Sequence, residues 1–451
     1  MKIAVIGSGI SGLASAWLLS RKHDVVLFEQ ESRLGGHTHT FVVQTPHGDQ
    51  PVDTGFIVYN ERNYPNLTAM FRELGVETRN SDMSFGVSIG QGTYEYAGDS
   101  LATLFAQRTN LFSATHWRML FEILRFNGLT KKLLARDALP TGTLGEFLDA
   151  HNFSSSLRTR YLLPMAGAIW SCSTRKALEY PYESFARFFE SHGLLNAIDR
   201  PQWKFVVGGS RRYVQKLLAN FLGELRLGAG VTCVRRTPEA AWVSTAAGEE
   251  RFDAVISAAH SDQTLTLLAD ADDTERRVLG AIGYTPNTAY LHTDDTLLPR
   301  RRRAWSSWNY MGRTDEVCDD RIPITYWMNR LQDIPGSMNY IVSLNPLRQP
   351  VPEKVIYQTV YDHPLYTPEV VAAQKLLPSI QGRNRTWFCG AWCGYGFHED
   401  GLKSALYVAK AFGCSPEWAS RENADCLEWQ SAPASDRPGM AGPEADPGMA
   451  A

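Results

Sequence analysis

Lys2-Ile3-Ala4-Val5-Ile6-Gly7-Ser8-Gly9-Ile10-Ser11-Gly12 stands at the head of the chain, and its reading decides the fold. Residues 2–6 form an apolar run of strand length, and Ser11 to Arg21 repeat Leu13, Ala14, Trp17 and Leu18 at helical spacing. Residues 24–29, Asp-Val-Val-Leu-Phe-Glu, read as a second strand, so the three segments make one βαβ unit of a parallel sheet. At the turn, Gly7 permits the tight bend, Gly9 with Ile10 and Ser11 lets the backbone approach a pyrophosphate, and Gly12 allows close helix-strand packing. The N–H groups of the helix start then face the phosphates. Glu29 ends the second strand 22 residues after Gly7, where a carboxylate accepts ribose hydroxyls and repels a 2′-phosphate. A Rossmann-like α/β domain for an adenine dinucleotide, FAD or NAD in preference to NADP, is the expectation.

The whole chain has 451 residues, 44% of them hydrophobic, enough for two or three domains. Its 45 Lys and Arg nearly balance 48 Asp and Glu, and with no lysine-rich tract longer than two residues a nucleic acid partner is not expected. Seven scattered cysteines suit reduced thiols in the cytoplasm. Cys389 and Cys393 form the one close pair but lack further ligands nearby, so no metal site is expected. The apolar start is too short for a signal segment, and no uncharged run is long enough to span a bilayer. Residues 430–451, rich in Pro, Ala, Gly and Ser, are expected to be a disordered tail. Nothing in the sequence sets the oligomeric state.

Further along, residues 83–97 predict a hairpin turning at Gly90-Gln91-Gly92, and 100–200 are dominated by helical periodicity. Strand signals return at 204–207, followed by Gly208-Gly209-Ser210 opening a helix, and then at 231–235, 242–245 and 253–258. Residues 284–345 are strand-like and aromatic.

The segment Glu29-Gln30-Glu31-Ser32-Arg33-Leu34-Gly35-Gly36-His37-Thr38, followed by Val52-Asp53-Thr54-Gly55-Phe56-Ile57, resembles the flavoprotein superfamily of amine oxidases, protoporphyrinogen oxidases and phytoene-type desaturases. His37 stands where that superfamily usually has Arg. Three further matches follow in order: Gly208-Gly209-Ser210, Val231 with Asp253-Ala-Val-Ile-Ser-Ala, and Gly390-Ala391 with Asp400-Gly401-Leu402. The resemblance implies bound FAD, contacted through these residues and those of the first turn. It also implies a discontinuous FAD domain (1–61, 204–262, 355–415) interleaved with a mixed α+β substrate domain (62–203, 263–354). More narrowly, Pro51 to Leu67, Leu291 to Asp294, Ala304 to Tyr310 and Gly396 to Gly401 are similar to a bacterial amine oxidase-like subgroup associated with modification of fatty acyl chains.

In such a flavoprotein the cofactor carries the redox step and the protein positions a C–H bond against N5. Amine oxidases of the superfamily generally place a lysine there, but this chain has none between Lys216 and Lys354. His398 falls at the position of their aromatic cage and, with an ordinary pKa of about 6.5, is a candidate base or donor; Glu399 is a second candidate. Either could instead cap the following helix. Trp308, Tyr310, Tyr326 and Trp327, with Asn309 and Asn329 as polar handles, are candidates for the substrate pocket or for ordinary sheet core. Residues 101–136 combine large apolar side chains with six cations and one acid, Glu122, which suits either an anionic membrane surface or a buried helical hairpin. The expected function is dehydrogenation of an apolar substrate, a phospholipid-borne or modified fatty acyl chain, with oxygen or a quinone as electron acceptor. The alternatives are an amine oxidase and a flavin-binding partner protein without turnover.

Overall fold

The computed structural model describes residues 1–419 except 47, 171, 197–199, 315 and 318–320; the expected tail at 430–451 lies outside the described residues. At its centre is a five-stranded sheet in the order Glu224–Leu227, Asp24–Glu29, Lys2–Ile6, Ala254–Ser257 and Thr386–Phe388, with every neighbouring pair parallel. Lys2–Ile6 lies inside it, covered on both faces, which is why its sequence is a continuous apolar run and does not alternate. The following helix, Ile10–Leu19, is buried on every side between this sheet and the helix His398–Ala411. From the first strand the chain moves to Asp24–Glu29 on one side, and Ala254–Ser257 occupies the other. The order therefore reverses there, and a crevice opens at the strand ends, where open α/β sheets bind ligands.

A second, seven-stranded mixed sheet runs Val355–Pro364, Tyr284–His292, Ile341–Leu344, Ile324–Trp327, Trp308–Gly312, Phe85–Ile89 and Tyr94–Ala97. The last two strands form the expected hairpin, with Gly90 and Gly92 at positive φ in its turn. Two elements cross the expected division of the chain. Val355–Pro364, assigned from the sequence to the FAD domain, pairs along its length with Tyr284–His292, and Trp203–Val206 joins Val58–Asn60 to Thr78–Asn80. The limits implied by the resemblance follow chain order, whereas these backbone pairings join segments far apart in it.

The helical block expected at 100–200 includes Ala114–Ala135, Leu163–Trp170 and Tyr182–Ser191 and packs on the second sheet through an aromatic core containing Phe126, Phe185, Phe189 and Tyr310.

Candidate active site

Two cavities meet at the end of the parallel sheet. The first, a cleft of about 650 Å³, is lined by Gly7, Gly9, Ile10, Ser11, Glu29, Gln30, Arg33, Gly35, Gly36, His37, Val231, Gly390 and Ala391, all expected from the sequence. Gly7, Gly35 and Gly36 have φ of 96°, 110° and 55°, so the two glycine turns adopt backbone that other residues enter at a cost. A Cβ on Gly9 would meet nothing within 4 Å, whereas one on Gly36 would lie 3.2 Å from Gly9 Cα. The two turns thus pack together and leave room on the cleft side for phosphates. The carboxylate of Glu29 accepts from the Ser8 N–H at 2.9 Å and from its hydroxyl, and its other oxygen accepts from the Glu31 N–H at 2.9 Å. This fixes an acid at the ribose position. A phosphate-sized turn, a helix start and a buried acid in one elongated cleft fit an adenine dinucleotide.

Seven expected contacts lie elsewhere. Gly55, Phe56 and Ile57 line the second cavity. Gly12, Asp400, Gly401 and Leu402 lie outside the linings of both cavities. A Cβ on Gly12 would fall 1.8 Å from the Gly7 carbonyl oxygen, and one on Gly401 would fall 2.7 Å from Ile10 Cγ2. These two glycines are needed for close packing beneath the phosphate turn. Leu402 is core, and Asp400 caps its helix by accepting from the N–H groups of Phe397 (3.0 Å) and Tyr395 (3.1 Å), its pKa raised to about 6 by burial.

The second cavity, about 290 Å³, is mostly aromatic and aliphatic: Phe56, Ile57, Met165, Ile169, Trp170 and Phe188 on one side, Trp308, Tyr326, Val342 and Leu344 on another. The rings of Trp308 and Tyr326 meet edge to face at 4.8 Å. Tyr310, Trp327 and Asn329 do not line it. Tyr310 is buried further along its strand, where helix Leu163–Trp170 packs on the sheet. Strand alternation turns Trp327 away from Tyr326 and against Trp305 at 5.3 Å. Asn329 accepts from Tyr340 N–H at 2.7 Å and donates to the Met338 carbonyl at 2.8 Å, and Asn309 is likewise spent on Ser306 and Thr325. Short polar side chains near bends satisfied the backbone first.

His37, Tyr361, His363, Pro364, Gly396 and His398 line both cavities and so form their junction. The His37 ring lies 5.2 Å from Tyr361, 5.5 Å from His363 and 5.7 Å from His260. His398 Nε2 is bonded to the hydroxyls of Thr38 (2.9 Å) and Tyr213 (3.0 Å), and its ring stacks on Phe56 at 3.7 Å. Burial brings its pKa down to about 3, so this imidazole is neutral at physiological pH, contrary to the expectation of an ordinary value. Burial lowers His363 to about 4 and holds His37 well below 6.5, the latter also through repulsion from the other imidazoles. Neutral rings can donate or accept hydrogen bonds here but do not present a charge.

Glu399 faces away from both cavities. Its carboxylate accepts from Asn66 N–H (3.0 Å), Asn66 Nδ2 (2.7 Å) and Leu67 N–H (3.0 Å), which makes it the N-terminal cap of helix Pro65–Glu73. The candidate acid of the sequence is thus engaged by tertiary hydrogen bonds and lies outside the linings of both cavities. Sequence reasoning missed His260, Tyr361 and His363. His260 had a legible signal, since it lies three residues beyond the end of the parallel strand Ala254–Ser257. Tyr361 and His363 arrive on an antiparallel strand from the other sheet, and nothing local marks them.

A model of the family described as "Flavin containing amine oxidoreductase" matches residues 10–321. No curated protein matches the chain by sequence. Among solved structures, the fold is similar to a CLA-producing fatty acid isomerase from P. acnes (TM-score 0.66, 15% identity, 91% of this chain and 98% of that one). It is also similar to a putrescine oxidase bound to putrescine (0.62, 15%, 91% and 99%) and to cyclohexylamine oxidase from Brevibacterium oxydans (0.61, 14%, 91% and 99%). With the glycine turns and Glu29 set around a dinucleotide cleft that opens into a second cavity, and a family match over more than half its length, the chain belongs to the flavin-containing amine oxidoreductases and is an FAD-dependent oxidoreductase.

Proposed function

We propose that this enzyme dehydrogenates an apolar substrate, most simply a fatty acyl chain, free or phospholipid-borne, that enters the aromatic cavity. The charge of that cavity carries the reading. Among its described lining residues there is no Asp, Glu or Lys, and Arg200 is the one permanently charged side chain. Burial lowers the lining imidazoles His192 and His363 to about 4 and His398 to about 3, so they add no charge at neutral pH. A protonated amine would lose its hydration there without a counter-charge, at a cost of several kcal/mol. An alkyl chain would instead gain about 0.8 kcal/mol for each buried methylene.

Bound flavin supplies the hydride acceptor. The chain's own residues do the rest: Trp308, Tyr326 and Phe56 hold the alkyl chain and exclude water, Arg200 pairs with an anionic head group, and the junction His37, His363 and His398 orients groups by neutral hydrogen bonds. A solved relative in the fold is a fatty acid isomerase, which accords with an acyl ligand. The second reading, oxidation of an amine, is favoured by the family match and by the putrescine oxidase of the same fold. It would need the amine to enter neutral, without a lysine in either cavity lining.

The test is the anaerobic visible spectrum of the holoenzyme on addition of bacterial phospholipid, free unsaturated fatty acid, or a panel of polyamines and aromatic amines. Bleaching by lipid or fatty acid is expected. Bleaching by an amine alone would replace the proposal with the second reading.

A further inference from the structure

The helix Ala114–Ala135 is apolar on two opposite faces, and folding accounts for only one of them. Met119, Phe126 and Thr130 point inward and are fully buried, with His116 and Glu122 beside them. On the opposite side, Trp117, Phe121 and Leu124 fall within about 60° of arc at roughly 100° per residue. They are 40%, 65% and 62% exposed. The turn before this helix, Arg108–Phe112, extends the same surface with Leu111 and with Phe112, which is 91% exposed; Leu101 lies just upstream, 78% exposed. Burying side chains of this size is worth about 1.5–3 kcal/mol each, so their shared exposure marks a surface made for a second phase.

Cations surround this ridge. Arg108, on the same turn as Phe112, faces Arg301, Arg302 and Arg303 across an open cleft of about 460 Å³ whose remaining lining is Ala106, Gln107 and Thr109. Arg301 is partly engaged, donating to the buried carboxylate of Glu95 at 2.9 Å, and Arg302 lies over the Trp305 ring at 4.4 Å. No acid lines the cleft. Glu122, the one acid between residues 101 and 136, is buried and bonded to Arg118 and Ser154. The surface is therefore positive and apolar at once.

We propose that this face docks the protein on an anionic lipid bilayer, with the exposed aromatic and aliphatic side chains in the headgroup–acyl boundary and lipid phosphates in the four-arginine cleft. The combination is that of an interfacial, non-spanning helix: apolar burial supplies the depth and the arginines supply the preference for anionic lipid. A second copy of the chain is the poorer occupant, because pairing this face with itself would bring the arginine clefts together without counter-charge. The surface stands apart from the reading of the cavity. Membrane binding without flavin reduction by either phospholipid or free fatty acid would refute the substrate and leave the surface intact.

The experiment is cosedimentation of the holoprotein with vesicles of phosphatidylcholine, or of phosphatidylcholine and phosphatidylglycerol in equal parts. Binding to the anionic vesicles that falls as salt is raised is expected. Phe112→Ser with Phe121→Ser should weaken partitioning to both vesicle types about ten-fold or more. Arg302→Glu with Arg303→Glu should remove the preference for anionic vesicles, about ten-fold. These positions are exposed, and unchanged flavin absorbance of each variant reports an intact fold. Brominated lipid should quench tryptophan emission in the wild type and less in Trp117→Phe. Protein that stays in the supernatant with anionic vesicles at low salt would overturn the proposal. So would binding unaffected by the Phe112 and Phe121 changes, or a dimer in solution that those changes dissolve without any vesicle binding.

Discussion

At the scale of single residues, Glu29 and His398 show how the tertiary environment assigns chemistry to a side chain. Glu29 is anchored by Ser8 and Glu31 N–H groups, so its position at the cleft is rigid before any ribose arrives. Glu29→Ala removes an ionised acceptor and leaves the Ser8 N–H facing the cleft unpaired, a loss of about 1.5–3 kcal/mol per charged hydrogen bond. The purified variant should carry little flavin, and the visible absorbance per protein checks it; full retention would remove Glu29 from the ribose site. His398 keeps a neutral ring because it is buried beside hydroxyls and an aromatic face and has no carboxylate partner. The rate of flavin reduction should consequently show no inflection from this residue between about pH 5 and 8. His398→Ala should slow single-turnover reduction more than it weakens flavin binding; equal rates in stopped flow would reduce His398 to a packing role.

At the scale of elements, the decisive contacts are helix beginnings. Helices Ile10–Leu19 and His398–Ala411 cross so closely that Gly401 faces Ile10 and Ser11, while Gly12 faces the Gly7 carbonyl. Gly12→Ala puts a methyl against backbone that cannot yield without moving the phosphate turn, so it should cost about 1–3 kcal/mol or more and expel flavin. The start of Pro65–Glu73 has no cap of its own, since Tyr64 offers no side-chain bond there, and Glu399 from the distant helix supplies one. Glu399→Gln keeps the volume and loses the charge. It should lower unfolding free energy by about 1–2 kcal/mol while the rate of flavin reduction is maintained. A large fall in that rate at unchanged thermal stability would restore Glu399 as a catalytic group.

For the molecule as a whole, the second cavity lies between the helical block and the seven-stranded sheet, and the histidines buried there and elsewhere in the fold couple stability to pH. Burial depresses His39, His116, His192, His292 and His363 to about 4 and His398 to about 3. Each is ordinary, near 6.5, once unfolded. Between those values the unfolded chain binds more protons, so this contribution is complete above about pH 6.5 and is lost as the pH falls. Asp53 and Asp400, raised to about 6 by burial, act in the opposite sense, stabilising the fold as the pH drops from about 6 toward 4. Two carboxyls offset only part of six imidazoles. The melting temperature should therefore fall between pH 7 and 5.5, on the order of 5 °C; a flat or rising profile would contradict the burial of these rings.

The parallel sheet, the phosphate turn and the ribose acid were determined by local sequence, because a strand, a glycine turn, a helix and an acid follow one another within residues 2–29 and each is set by its neighbours. The hairpin at 85–97 and the helical block were legible for the same reason of short-range periodicity. Tertiary structure alone decided the rest. It brought His363 and Tyr361 across from an antiparallel strand, spent Glu399 on the backbone N–H groups of Asn66 and Leu67, and left Phe112 and Phe121 outside the core. A short polar side chain serves whichever backbone group the fold places beside it, and an aromatic ring is buried or exposed according to which face the neighbouring element covers. Glu399 meets Asn66 across 333 positions of chain, and His37 meets His363 across a comparable span, so no local pattern encodes those contacts.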